Sequence, residues 1–188
     1  MTDPLAAIAD AARRQLSLFD PPSSGPCSVS EVNGVLASSH YLGPIDRGFA
    51  WSDEYGVAVF SSPVSRRLPS VRWLELRRWC LYGVRNGGSR QWSRIVAWLR
   101  SDHPVITTVI SYSDPSVGHT GAVYKACGWK WRPTWHRLRP PPSGNGRWSS
   151  KQESVKDRWM FPLRADAERE SLLAVKDEAI CRRMKMLA

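Results

Sequence analysis

Apolar and polar positions along the chain predict helices and strands in alternation. Leu5, Ile8, Ala12 and Leu16 recur on one side behind Asp3 and Pro4, which predicts a short helix over residues 3–18. Asp20-Pro21-Pro22-Ser23-Ser24-Gly25-Pro26 breaks the periodicity and reads as an extended linker. From Cys27 the pattern is that of a folded domain. Ser30 is placed to cap a helix carrying Val32, Val35 and Leu36 that closes at His40-Tyr41-Leu42-Gly43. Residues 47–51 and 55–61 alternate as the arms of a hairpin across Asp53-Glu54. Residues 71–81 form a stronger strand, with Val71, Trp73, Glu75, Arg77 and Trp79 on one face and Leu74 and Leu76 on the other. The chain turns at Arg85-Asn86-Gly87-Gly88, and Ser89 caps a helix with Trp92, Ile95, Val96 and Leu99 on one stripe.

The second half continues the alternation. Residues 105–110 are a β-branched run that reads as a buried strand, stopped by Asp114-Pro115. Gly118-His119-Thr120-Gly121 is a turn leading into a short helix with Val123, Tyr124 and Cys127. Trp129 and Trp131 open a strand expected over 130–138, and a Pro/Gly/Ser-rich loop occupies 140–150. A last strand is expected over 155–163, and an amphipathic helix over 165–187 carries Leu172, Leu173, Ile180, Met184 and Leu187. No internal repeat is visible. The expected organisation is a tail over 1–26, one domain over 27–163 and a C-terminal helix over 164–188. Its class is α/β (α+β): a central mixed, mostly antiparallel sheet flanked by helices.

Charge narrows the partner. The net charge is +10. Between Arg66 and Arg100 nine arginines face one acid, Glu75, which points to a polyanion and most simply to DNA. Arg66, Arg67, Arg72, Arg78, Arg94 and Lys130 are the expected backbone-phosphate contacts. No apolar run reaches the length of a spanning helix, so no membrane partner is expected. Cys27, Cys80, Cys127 and Cys181 are too scattered for a zinc site and, without a secretory leader, read as reduced thiols in the cytoplasm. Ten tryptophans exceed the needs of a core; Trp51, Trp73, Trp79, Trp129 and Trp131 are candidates to wall a base.

Candidate chemistry gathers in residues 111–131. Asp114 at a strand end can serve as a general base or simply cap the next helix. His119 can face a substrate or bond the turn's backbone, and Tyr124 one turn on can protonate a leaving group or pack as a core aromatic. Glu75 and Arg77 read equally as a site pair or a buried ion pair. Arg85, Asn86, Gly87, Gly88, Ser89 and Arg90 combine positive charge with a helix start and are the candidate donor-phosphate site. The element order also matches the acyltransferase fold of the GNAT superfamily, in which a helix N-terminus after the fourth strand holds the pyrophosphate of coenzyme A.

Two resemblances sharpen this reading. Gln15-Leu16-Ser17-Leu18-Phe19 resembles the short motif by which bacterial DNA-maintenance proteins dock on the replicative sliding clamp, with Leu16, Leu18 and Phe19 filling an apolar pocket. The alternative is a tail that packs on its own domain. SYSDPSVGHTGAVYKACGWKW at 111–131, with HYLG at 40–43, Glu75-x-Arg77, RNGGSR at 85–90 and DRWMFPL at 157–163, resembles the Mom family of phage DNA-modification proteins. That resemblance implies a GNAT-like enzyme that places a carbamoylmethyl group on the exocyclic amine of adenine and so hides phage DNA from restriction endonucleases. It also implies acetyl-coenzyme A or a related acyl-coenzyme A as donor. It also implies a catalytic or iron-binding role for His40 and Tyr41, which otherwise read as packing at a helix end; with them, Asp114, His119 and Tyr124 are the candidate catalytic groups. RNGGSR departs from the Arg/Gln-x-x-Gly-x-Gly/Ala loop of acetyltransferases. A general N-acetyltransferase acting on protein or small-molecule amines, and a non-catalytic DNA-binding protein on the same scaffold, are the alternative functions.

Overall fold

A computed structural model describes residues 24–65, 68–132 and 156–167. The expected N-terminal helix, Gln15–Phe19, Arg66, Arg67, the loop over 140–150 and nearly all of the C-terminal helix lie outside those residues.

The described chain forms a seven-stranded, mostly antiparallel sheet with helices, in the order β1-β2-β3-β4-β5-β7-β6. The strands are β1 (Gly25–Cys27), β2 (Phe49–Asp53), β3 (Gly56–Ser61), β4 (Trp73–Leu81), β5 (Thr108–Ser113), β6 (Lys130–Arg132) and β7 (Asp157–Pro162). The helices are α1 (Val29–Ser39), α2 (Gly87–Asp102) and α3 (Ala122–Ala126). The chain divides into two units, residues 1–60 with 78–91 and residues 61–77 with 92–188.

In the first unit α1 is capped two residues before the expected position. Ser28, not Ser30, is the N-cap, because Glu31 stands three residues after it and closes a capping box. The Ser28 hydroxyl accepts from the Glu31 N–H at 3.4 Å while the Ser28 N–H donates to Glu31 Oε2 at 2.6 Å. These serine bonds hold the Glu31 carboxyl below its ordinary pKa. The helix then buries Val29, Val32, Val35 and Leu36 against Ala50, Val57, Val59 and Cys80. The hairpin forms, with Phe49 opposite Phe60 and Asp53 opposite Gly56, so its turn is Glu54-Tyr55 rather than the expected Asp53-Glu54. Gly56 is required: a Cβ there, at φ +155°, would lie 2.2 Å from the Cys80 carbonyl oxygen.

In the second unit β4 and β5 run parallel, Trp73 opposite Thr108 through Leu76 opposite Ser111. Beyond Leu76 and Ser111 that pairing ends, and β5 continues to Ser113 paired with β7 alone. Strand β5 begins later than the β-branched run predicts. A turn in which the Ile106 N–H donates to the His103 carbonyl leaves Val105 exposed. β7 pairs antiparallel with both β5 and β6. Leu68, Trp73, Ile110 and Met160 form one buried cluster. Trp92, Trp129 and Phe161 form an aromatic one, with Trp92 and Trp129 centroids 4.6 Å apart.

Candidate active site

In the second unit the sequence feeds three polar side chains to the end of β5. Pro115 cannot extend the strand ladder, and Asp114 caps the single 3-10 turn Pro115–Val117. One carboxylate oxygen of Asp114 accepts from the Ser116 N–H at 3.0 Å and from the Ser116 hydroxyl at 2.6 Å. Asp114 therefore does cap the turn, one of its two sequence readings, while remaining buried. His119 is exposed and folds back on the same turn: its N–H donates to the Asp114 carbonyl at 3.2 Å, and its Nδ1 accepts from the Asp114 N–H at 3.5 Å.

Gly121, at φ +70°, precedes α3 and swings Tyr124 inward. The Tyr124 hydroxyl lies 2.9 Å from Ser111 Oγ, and Ser111 Oγ donates to the Leu76 carbonyl at 2.9 Å. Since Ser111 spends its proton on Leu76, Tyr124 is the donor of the first bond. The phenol thus ends a relay anchored where β4 and β5 part. Its ring stacks on Trp159, 5.5 Å between centroids and 12° between planes, and the Trp159 indole N–H donates to Ser113 Oγ at 2.9 Å. Ser111, Ser113 and Trp159 were not singled out from sequence. The alternation of serines along SYS was the available signal, since it aims Ser111 and Ser113 to one face.

Also in this unit, Glu75 is buried and accepts from the Val64 N–H at 2.9 Å, while Arg77 Nε lies 3.3 Å from its other oxygen. The pair is an ion pair that ties β4 to the preceding loop. Arg72, Arg94 and Lys130 are exposed, as phosphate contacts need to be.

In the first unit the HYLG segment leaves α1 as a turn held from several sides. His40 Nδ1 accepts from the Leu42 N–H at 3.2 Å, and its ring stacks on Tyr41 at 5.1 Å. Asn33 bonds the Ile45 backbone twice, at 3.1 Å each. Arg78 is a correction. Expected to face phosphate, it is only 7% exposed, and its guanidinium donates to the Gly43 carbonyl at 3.0 Å and the Leu42 carbonyl at 3.4 Å. It holds HYLG instead. An iron site at His40 and Tyr41 fits poorly. One imidazole nitrogen is taken by a backbone N–H, and no group of three or more His, Cys, Asp or Glu is gathered among the described residues.

Residues 85–90 form the start of α2, which begins at Gly87 rather than behind a Ser89 cap. Asn86 takes φ 58°, Gly87 donates to the Val84 carbonyl at 2.8 Å, and Gly87 and Gly88 are buried. Arg85 and Arg90 are exposed beside them, the Arg90 guanidinium 5.9 Å over the Tyr55 ring. One position further on, Gln91 is fully buried at the centre of a polar network. Its amide nitrogen donates to Asp53 Oδ1 at 2.7 Å and to the Gly56 carbonyl at 2.6 Å, and its oxygen accepts from Trp79 Nε1 at 2.7 Å. Asp53 also accepts from Trp51 Nε1 at 3.0 Å and from the Tyr55 N–H at 2.9 Å. This network pins the basic helix start to the hairpin. Sequence patterning missed it, because an isolated Asp in a turn and a Gln in a helix carry no periodic signal.

Fold and site together define a mixed α/β protein with an acid and a phenol-serine relay at the end of its parallel strand pair. A model of the Mom protein family matches residues 34–170, and the chain belongs to that family. Among solved structures the chain is similar to a Bacillus subtilis acetyltransferase in complex with CoA, at 11% identity and a TM-score of 0.39, over 61% of this chain and 74% of that one. No curated protein gives a significant match. Among the described residues no helix is long and apolar enough to cross a membrane, and Cys27, Cys80 and Cys127 are free thiols.

Proposed function

We propose that this protein modifies DNA by group transfer to the exocyclic amine of adenine, the carbamoylmethylation associated with the Mom family, and that the modification protects phage DNA from restriction. The observation that carries the reading is membership of that family over residues 34–170, and the Tyr124–Ser111–Leu76 relay on β5 and the buried Asp114 at that strand's end support it. As the new N–C bond forms, the amine loses a proton and the bond from the transferred carbon to its leaving group breaks. Asp114 takes the proton from nitrogen, and Tyr124 delivers its own to the departing atom. To do so Tyr124 gives up its bond to Ser111, a cost of about 1 kcal/mol. His119 stands beside Asp114 and orients its turn.

An acyl-coenzyme A donor is supported by the start of α2, where Arg85, Arg90 and the helix dipole favour pyrophosphate. An acyl thioester carries its leaving thiolate on the carbonyl carbon, whereas a carbamoylmethyl group is joined through its methylene. The step above therefore requires a donor whose leaving group sits on the methylene carbon, and acetyl-coenzyme A itself is not that donor. No step here runs through iron. Arg72, Arg94 and Lys130 suit backbone phosphates, and Gln15–Phe19 suits docking on the sliding clamp, which would raise the local concentration of the enzyme at newly exposed strands. Mass spectrometry of nucleosides from cells expressing the wild type or Asp114→Ala tests the reading. An adenine adduct in the wild type alone is expected; unmodified deoxyadenosine in both overturns it.

A further inference from the structure

Of the five tryptophans that the sequence offers as a wall for a base, Trp51, Trp73 and Trp129 are buried and Trp79 is half-buried with its N–H bonded to Gln91. Trp131 is 53% exposed. It sits on β6, the outermost strand of the sheet. Its indole N–H donates to Asp157 Oδ1 at 3.1 Å, so the ring's single polar atom is spoken for and what it presents to water is carbon. An indole held by one bond and left half in solvent is pre-oriented for another flat, apolar face.

Its place in the sheet says which face. Ser111 on β5 is paired with Trp159 on β7, and Trp159 with Trp131 on β6. Residues opposite one another in antiparallel strands project to the same side, so Ser111, Trp159 and Trp131 form one row across three strands. The row starts at the serine that bonds the Tyr124 hydroxyl and passes the indole on which the Tyr124 ring stacks. It ends, two strand spacings or about 10 Å away, at the exposed indole. The charge nearby suits a polyanion. Lys125 is exposed with its ammonium 5.9 Å over the Trp159 ring, on the face of that row, while Lys130, one residue before Trp131 on the strand, is exposed on the other face. Arg132 donates to the Trp131 carbonyl at 3.0 Å. Asp157 is the acid among them, and it is engaged with the indole.

We infer that Trp131 is a stacking platform for an unpaired nucleobase of the substrate strand, the neighbour of the adenine that reaches Tyr124. An adenine amine inside a duplex is inaccessible, so the target base leaves the stack and its neighbour loses a stacking partner. Trp131 replaces that partner. Stacking on an aromatic face accepts any base, so the contact contributes affinity and placement rather than sequence choice.

This inference rests on DNA being the substrate, and the test separates the two. The probe is a single-stranded oligonucleotide carrying 2-aminopurine beside one adenine, titrated with the full-length wild type, Trp131→Phe and Trp131→Ala. The wild type quenches the probe, Trp131→Phe keeps most of the affinity, and Trp131→Ala weakens binding about ten- to hundredfold with the quenching lost. Equal thermal midpoints for the three proteins show that folding is not the cause. Wild-type affinity and quenching in Trp131→Ala would overturn the platform while leaving adenine modification intact. A wild type that binds the probe but leaves DNA adenine unmodified would sink the enzymatic reading and not the platform.

Discussion

Replacing Gln91 by leucine keeps roughly the same volume and removes every hydrogen bond the side chain makes. Three bonds disappear: the amide donations to Asp53 and to the Gly56 carbonyl, and the Trp79 indole donation to the amide oxygen. A bond to a carboxylate is worth about 1.5–3 kcal/mol and a neutral one about 0.5–1.5, so the sum is roughly 2.5–6 kcal/mol, with about 4 as the expected loss. That is a large share of the ~5–15 kcal/mol that holds a typical domain together. Asp53 is 1% exposed, so water cannot readily replace what it loses. It does keep the Trp51 and Tyr55 donors, which stops the loss from rising further. Urea unfolding of the full-length variant, followed by tryptophan fluorescence with the slope m checked against wild type, reads the difference. Gln91→Glu sharpens the reasoning, because it places a second carboxyl against Asp53. The like-charge pair weakens the fold at neutral pH beyond the loss seen with leucine. A Gln91→Leu variant within about 1 kcal/mol of wild type would refute the assignment of this network as the anchor of the α2 start.

Two further outcomes are expected. Gly121→Ala forces a Cβ to within 2.1 Å of the Trp159 ring at φ +70°, whereas Gly118→Ala at φ +84° meets nothing within 4 Å. The first should therefore cost about 2–5 kcal/mol and the second about 1, measured by thermal unfolding, and equal costs would show that the ring moves away freely. Burial, helped by the nearby Glu31 charge, raises the Cys27 thiol from 9.0 to about 11. At pH 8 its thiolate fraction is then about a hundredth of an ordinary cysteine's, and iodoacetamide should label it about a hundredfold more slowly, followed by peptide mass spectrometry. Labelling within threefold of a free thiol would contradict the burial.

What the sequence made legible was periodic. The helical stripe of Val32, Val35 and Leu36, the alternation across the β2–β3 hairpin and the stop at Asp114-Pro115 all follow from spacing, and all are observed. What it concealed depends on partners distant in the chain. Ser28 and Ser30 are both good caps, and only the reach of Glu31 decides between them. Arg78 counts as a surface charge until the carbonyls of residues 42 and 43 are seen to fold over it. Five tryptophans look alike in sequence, yet strand order alone leaves Trp131 at the sheet's margin. The contact of His119 with Asp114 follows from one short turn that supplies both, whereas Tyr124 meets Ser111 and Trp159. Ser111 in turn bonds to β4, 35 residues earlier.

The position of β7 carries a consequence for how the chain is made. It is the last of the seven strands to leave the ribosome, yet it lies inside the sheet, between β5 and β6. Among the described residues β6 pairs only with β7, so until Asp157–Pro162 emerges it lacks that ladder, and β5 lacks its β7 partner. At about 5–20 residues per second, the stretch from the end of β6 to the start of β7 takes roughly 1–5 s to synthesise. During that interval the Tyr124 ring has no Trp159 to stack on. A chain released before residue 157 therefore lacks that stack and should expose strand edges to aggregation.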